Sequence, residues 1–136
     1  MFKLAKIINS GTNVPEPIRL PKALTFEIVA MTPLTLFEGG LLPFENADGP
    51  AYFPLENSSA DDNDKVLCFK TQPNMLFEVP LIGDPENVYV GALVELYCAN
   101  GVAVGVTDQM GLGACEIVDL CGATASGDKI LVKFIL

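Results

Sequence analysis

Gly91-Ala92-Leu93-Val94-Glu95-Leu96-Tyr97-Cys98-Ala99 runs into Asn100-Gly101 and on into Val102-Ala103-Val104-Gly105-Val106-Thr107. Asn-Gly between two β-prone runs is the strongest short-range signature of a hairpin, because both residues of the tight turn need φ > 0. This stretch sets the fold class. It predicts two antiparallel strands, and its neighbours continue the same pattern.

After the turn Gly111-Leu112-Gly113, a third strand is expected over about Ala114 to Leu120. Gly122-Ala123-Thr124-Ala125-Ser126-Gly127-Asp128 then leads into a last strand, Lys129 to Leu136. The two-residue period puts Ile130, Val132, Phe134 and Leu136 on one buried face, with Lys129, Leu131, Lys133 and Ile135 on the other. Before the hairpin, Phe77-Glu78-Val79-Pro80-Leu81 reads as a strand ending at a proline and therefore near a sheet edge. Leu24 to Met31, Thr35 to Glu38, Ala51 to Phe53 and Val66 to Lys70 read as further short strands, and Asn46 to Pro50 as a turn. No long stretch repeats apolar residues at i, i+3, i+4 and i+7, while ten prolines and twelve glycines punctuate the chain. The expected fold is all-β, a small antiparallel β-barrel or sandwich. At 136 residues it forms one domain, large enough to bury about two-thirds of its unfolded surface.

Charge divides the chain. Residues 1–22 hold Lys3, Lys6, Arg19 and Lys22 against the single acid Glu16, whereas the rest holds four lysines against sixteen acids, for a net charge of −9. The leader also holds Pro15, Pro17 and Pro21, which fix φ, remove donors and push preceding residues into extended conformations. It reads as an extended N-terminal arm (1–22) on a single all-β domain (23–136). Two courses are open to such an arm. It can reach a neighbouring subunit, since opposite charge steers association, or it can fold back on its own acidic body. In the first case Phe2, Leu4, Ile7, Ile8, Ile18 and Leu20 supply apolar contact. Lys3, Lys6, Arg19 and Lys22 then supply charge, with Pro15 and Pro17 keeping the chain extended.

Composition narrows the chemistry. With no histidine, Ser-His-Asp and Cys-His mechanisms are excluded. Cys68, Cys98, Cys115 and Cys121 form no C-x-x-C pair, so they read as unpaired thiols, small hydrophobes of a reduced compartment, and not as zinc ligands. Asp61, Asp62 and Asp64 form a dense acidic group, but Lys65 and Val66 follow where a calcium loop needs a late bidentate Glu, so a solvated acidic loop is expected over Asn57 to Asp64. The glycines at 111 and 113 lack a phosphate-loop context, and there is no tryptophan to stack a sugar. No catalytic residue, metal ligand or cofactor is assigned. A pI near 4.2 argues against nucleic acid as a partner. No secretory signal is visible, and no apolar run is long enough for a membrane-spanning helix.

Three pieces together carry a resemblance. They are the leader from Ala5 to Pro21, Phe77-Glu78-Val79-Pro80-Leu81 followed by the Gly91 strand, and the closing Ala125-Ser126-Gly127-Asp128-Lys129-Ile130-Leu131-Val132-Lys133-Phe134. This pattern resembles the head-decoration (capsid cement) proteins of tailed bacteriophages, where a small-Gly-Asp-x-hydrophobic-x-Val-basic-aromatic ending after a hydrophobic hairpin is common. Leu34 to Asp64 falls outside it. The resemblance implies a structural virion protein without an active site, which clamps adjoining capsid subunits, frequently by an extended terminal arm. Its implied partners are the major capsid protein and copies of itself in a homo-oligomer such as a trimer, with no nucleic acid and no membrane. Its implied place is the capsid surface, after assembly in the bacterial cytoplasm. The alternatives are a tail or head–tail joining component, a cellular β-barrel module for a small ligand or sugar, and, last, an enzyme.

Overall fold

The computed structural model describes residues 1–7, 16–44, 50–111 and 113–135, with the side chains of Lys6 and Ile7 outside the described set. The expected turn at Asn46 to Pro50 lies largely outside these residues. Among the described residues the elements are eleven strands and one short 3₁₀ turn.

The hairpin is where the sequence places it. Strands β8 (Leu93–Ala99) and β9 (Val102–Met110) pair antiparallel, with Ala99 opposite Val102 around Asn100 (φ 54) and Gly101 (φ 76). β10 (Cys115–Asp119) pairs with β8, and β11 (Lys129–Phe134) pairs with β10. β11 then pairs with β7 (Met75–Ile82), and β7 closes the circuit by running parallel to β9 at Leu81↔Val106 and Ile82↔Thr107. These five strands form a closed barrel. Ile130, Val132 and Phe134 are buried inside it as the alternation requires. The strand stops at Phe134, one residue short of the exposed Ile135, and the side chain of Leu136 is not described. Lys129 and Lys133 face outward and pair with Glu78 and Glu116.

Pro80 does not mark an edge, because β7 runs through it in the middle of the sheet. The Leu81 N–H donates to Asp128 O on the β11 side (3.0 Å), so the Pro80 nitrogen faces the opposite side of β7. There the partner strand β1 (Lys3–Ile7) stops at Glu78 and β9 begins only at Leu81. The missing donor falls in the gap between two partners, where nothing needs it.

A second sheet has the order β2 (Ile18–Leu20), β6 (Val66–Lys70), β5 (Tyr52–Pro54), β3 (Leu34–Phe37), β4 (Gly40–Pro43). It curls as a half-barrel between two cores, which its two-residue period separates. Tyr52, Val66 and Cys68 pack with Ile28, Leu34 and Leu41 on one side. Phe53 and Phe69 face the other way, into the main core with Phe77, Val79, Ile130 and Phe134. The Phe53 ring stacks on Phe77 with centroids 4.6 Å apart and meets Phe134 edge-on at 5.5 Å. Each such pair adds about 0.5–1.5 kcal/mol beyond its burial, so the aromatic cluster ties the two sheets into one unit.

One expectation needs correcting. Leu24 to Met31 is not a strand, since only Ile28 bridges a neighbour, Ser58. The Thr32 amide and hydroxyl both donate to Val29 O (3.3 and 2.7 Å), and Met31 takes φ 60, so the chain turns before a ladder can extend. The described residues of the leader, 1–7 and 16–22, run along their own body: β1 pairs with β7, β2 pairs with β6, and Phe2 lies in the main core.

Candidate functional site

The described part of the leader lies against the rest of its own chain. Phe2 is buried and Leu4 is half-buried against the main core, while Lys3 is exposed. Lys6 and Ile7 stand opposite Leu76 and Met75 in the ladder. Ile8 and Pro15 lie outside the described residues. Pro17 and Ile18 are exposed, and Leu20 packs against the second core.

The two described cations from the end of the leader reach the acidic loop. Arg19 Nη1 donates to Glu56 Oε1 (3.0 Å) and to Lys65 O (3.3 Å). Lys22 Nζ donates to Phe26 O (3.1 Å), Ser59 O (2.8 Å) and Asp62 O (2.9 Å), which uses all three ammonium donors. The loop is braced further where Ala30 N donates to Asn57 Oδ1 and Asp64 N to Asp62 Oδ1. The lysine ammonium thus fills the carbonyl-lined position that a bound cation would take. Among the described residues no group of three or more Cys, Asp or Glu is placed to hold a metal ion. Lys22→Met should leave three carbonyls to water and cost about 1.5–3 kcal/mol, the range for hydrogen bonds to a charged group. Amide exchange would show faster opening at Asp62 and Asp64 first.

The sheet edges are poorly suited to strand addition. The outer edge of β1 carries the exposed Lys3, β2 is three residues long between Pro17 and Pro21, and β4 is covered where Leu41 bonds to Pro21 O and Ala23 N. Charge, proline and coverage are the usual means of blunting an edge. Contact with a partner then falls to exposed side chains. Leu24 (52% exposed) and Phe37 (57%) line an open groove of ≈ 490 Å³ with Pro21, Glu38 and Leu42. Tyr89 (62%) and Val90 (59%) stand on the loop before β8. Sequence reasoning passed over both pairs. The available signal for the second was the short apolar run Val88-Tyr89-Val90 bracketed by Asn87 and Gly91, the kind of residues that mark a turn.

No disulfide joins the four cysteines, all of which are described. Burial, with a smaller contribution from Glu56, pushes the Cys68 thiol up to about 12; burial alone pushes Cys115 up. Cys121 is exposed yet also raised, first by desolvation and then by Asp119. The thiolate is the nucleophile, and at these three positions it is disfavoured. Alkylation of the folded protein should modify Cys98 and Cys121 and spare Cys68 and Cys115, whereas denaturant without reductant should expose four reactive thiols by intact mass.

Two carboxylates lie below their usual range. Asp108 is lowered by Asn87 Nδ2 and then the Asp84 amide, and Asp128 by the amides of Thr124 and Ala125. A folded-state pKa below the unfolded one contributes stability that is present above the unfolded value and lost as pH falls through the folded one. Stability in urea should therefore fall below about pH 4, and Asp128→Asn should make that fall shallower.

Comparison with known proteins gives no match to a family model, a curated protein or a solved structure.

Proposed function

We propose that this chain is a structural virion protein that decorates and stabilises the capsid of a tailed phage, bound on the capsid surface between copies of the major capsid protein. The observation that carries this reading is where the apolar side chains go. The barrel interior is filled by Val79, Leu81, Val94, Val106, Ile117, Ile130 and Val132, all buried, which leaves a packed core where a ligand-binding barrel has its cavity. Leu24, Phe37, Tyr89 and Val90 meanwhile stay exposed on the surface. A rigid surface that presents apolar groups suits protein–protein contact. In this reading the chain acts by adding buried interface and has no enzymatic role. Self-association, as a trimer or another ring, belongs to the same proposal.

The leader enters this proposal differently from the arm reading. Phe2, Arg19, Leu20 and Lys22 are engaged with their own domain, so the anchor to the capsid is sought on the exposed turns. The test is mass spectrometry of purified virions with copy counting. A copy number comparable to that of the major capsid protein supports decoration. One comparable to tail or joining proteins moves the chain there, and absence from virions overturns the proposal.

A further inference from the structure

β7 and β9 close the barrel in parallel, so both leave the seam at the same end. β7 passes into Gly83, Asp84 and the 3₁₀ turn Pro85–Asn87, while β9 continues through Asp108. Asp108 Oδ2 accepts from the Asp84 amide (3.1 Å) and from Asn87 Nδ2 (3.0 Å), and Asp84 Oδ1 accepts from the Glu86 amide (2.9 Å). Gly83 N donates to Ser126 Oγ (2.9 Å). Further along, Ala92 N donates to Tyr89 O and Gly91 N to Ile117 O, while Pro85 and Val88 are buried. The loop is pinned at both ends and along its middle.

This braced loop holds out Tyr89 and Val90, the two most exposed large hydrophobic side chains among the described residues. An apolar group already fixed in place loses little freedom on binding, and tyrosine in particular offers a large contact area at low entropic cost. The loop, residues 83–92, and the strand that braces it, residues 102–111, carry Asp84, Glu86 and Asp108 and no Lys or Arg. Asp84, Glu86 and Asp108 take part in none of the three ion pairs of the described residues, which use Glu56, Glu78 and Glu116. The occupant must therefore bring cations as well as an apolar side chain. A second copy is a poor candidate, because each carries a net −9 and four of its eight cations, Arg19, Lys22, Lys129 and Lys133, are already engaged. A nucleic acid is repelled by the same carboxylates.

We infer that the seam end of the barrel, with Tyr89 and Val90 at its centre and Asp84, Glu86 and Asp108 beside them, docks a basic segment of another protein in which Lys or Arg flanks an apolar residue. Opposite charge guides that segment in and sets its register, and the apolar pair holds it. The inference is independent of the virion reading, since it specifies the partner by chemistry alone.

The test uses the full chain, labelled with ¹⁵N and titrated with a short capped peptide alternating lysine with leucine. Two control peptides replace leucine by serine, or lysine by glutamate. The expected result is amide shifts confined to residues 84–91 and 108–110, with an affinity that weakens as salt is raised. The double variant Tyr89→Ser/Val90→Ser, and separately Asp84→Asn/Glu86→Gln, should each weaken binding about tenfold, equivalent to about 1.4 kcal/mol. Both pairs are exposed and Asn keeps the cap at position 84, so an unchanged spectrum elsewhere verifies folding. The inference is overturned by shifts centred elsewhere or by no binding. It is equally overturned if the lysine–serine peptide binds as well as the lysine–leucine one, which would mean charge attraction alone, or if the glutamate–leucine peptide does.

Discussion

Deleting residues 1–22 unfolds the protein. Phe2 is 2% exposed, with its ring centroid 5.7 Å from Phe53, 6.4 Å from Phe77 and 5.5 Å from Phe134. Phe2→Ala alone should cost about 3–5 kcal/mol, the range for emptying a buried aromatic site. Removing the whole leader also strips β1 from β7, β2 from β6, and the Arg19 and Lys22 contacts from the acidic loop. Since a domain of this kind is stable by about 5–15 kcal/mol in total, these losses together approach the whole. Circular dichroism on heating and dispersion of amide resonances would report the collapse. A truncated chain that melted like the parent would instead make the leader a detachable arm, and would make it a candidate for the contact with the proposed partner.

Gly113→Ala should be the most damaging single methyl added to this chain. Gly113 precedes β10 where that strand comes alongside β8, with Cys115 opposite Val94. A Cβ at 113 would fall 2.6 Å from the Val94 nitrogen, and closer still to its carbonyl carbon and oxygen. These are backbone atoms of a barrel strand and cannot rotate away, so β8 and β10 would have to separate. Overpacking costs typically about 1–3 kcal/mol and occasionally more; with rigid backbone on one side, about 3 kcal/mol or above is expected. Gly122→Ala is the control. Its φ is +73 with nothing within 4 Å of the added carbon, so only left-handed strain remains, about 1–2 kcal/mol. Urea midpoints of the two variants separate these causes, and equal midpoints would mean that the barrel absorbs the clash.

The elements legible in the sequence are those whose causes are local. The Asn100-Gly101 turn follows from the φ preference of two adjacent residues, and the strand pair around it follows from the turn. Val66–Lys70 and the inward face Ile130, Val132 and Phe134 follow from β-propensity and a two-residue period. The misreadings have a different origin. Leu24 to Met31 has strand-like composition, but a turn at Val29 to Thr32 ends its pairing. Pro80 signals an edge on sight, and only the handover from β1 to β9 across β7 makes it acceptable in the middle of a sheet. The leader illustrates the same limit at the candidate site. Its opposite charge was plain, yet Arg19 and Glu56 are 37 positions apart and Lys22 and Asp62 are 40 apart.

The sequence by itself determined the all-β class, the hairpin and its turn, the exclusion of histidine-dependent catalysis, and the charge of each part. Each of these depends on residues a few positions apart, or on composition. The tertiary structure alone decided that β7 and β9 close the barrel in parallel, that Phe2 completes an aromatic core shared by two sheets, and that Lys22 is caged by the acidic loop. It also decided that Tyr89 and Val90 stay outside while their neighbours Val88 and Ala92 go in. Such pairings are chosen by which distant surfaces can be buried together once chain entropy has been overcome. That competition is settled between whole sheets, and no short window of sequence contains both sides of it.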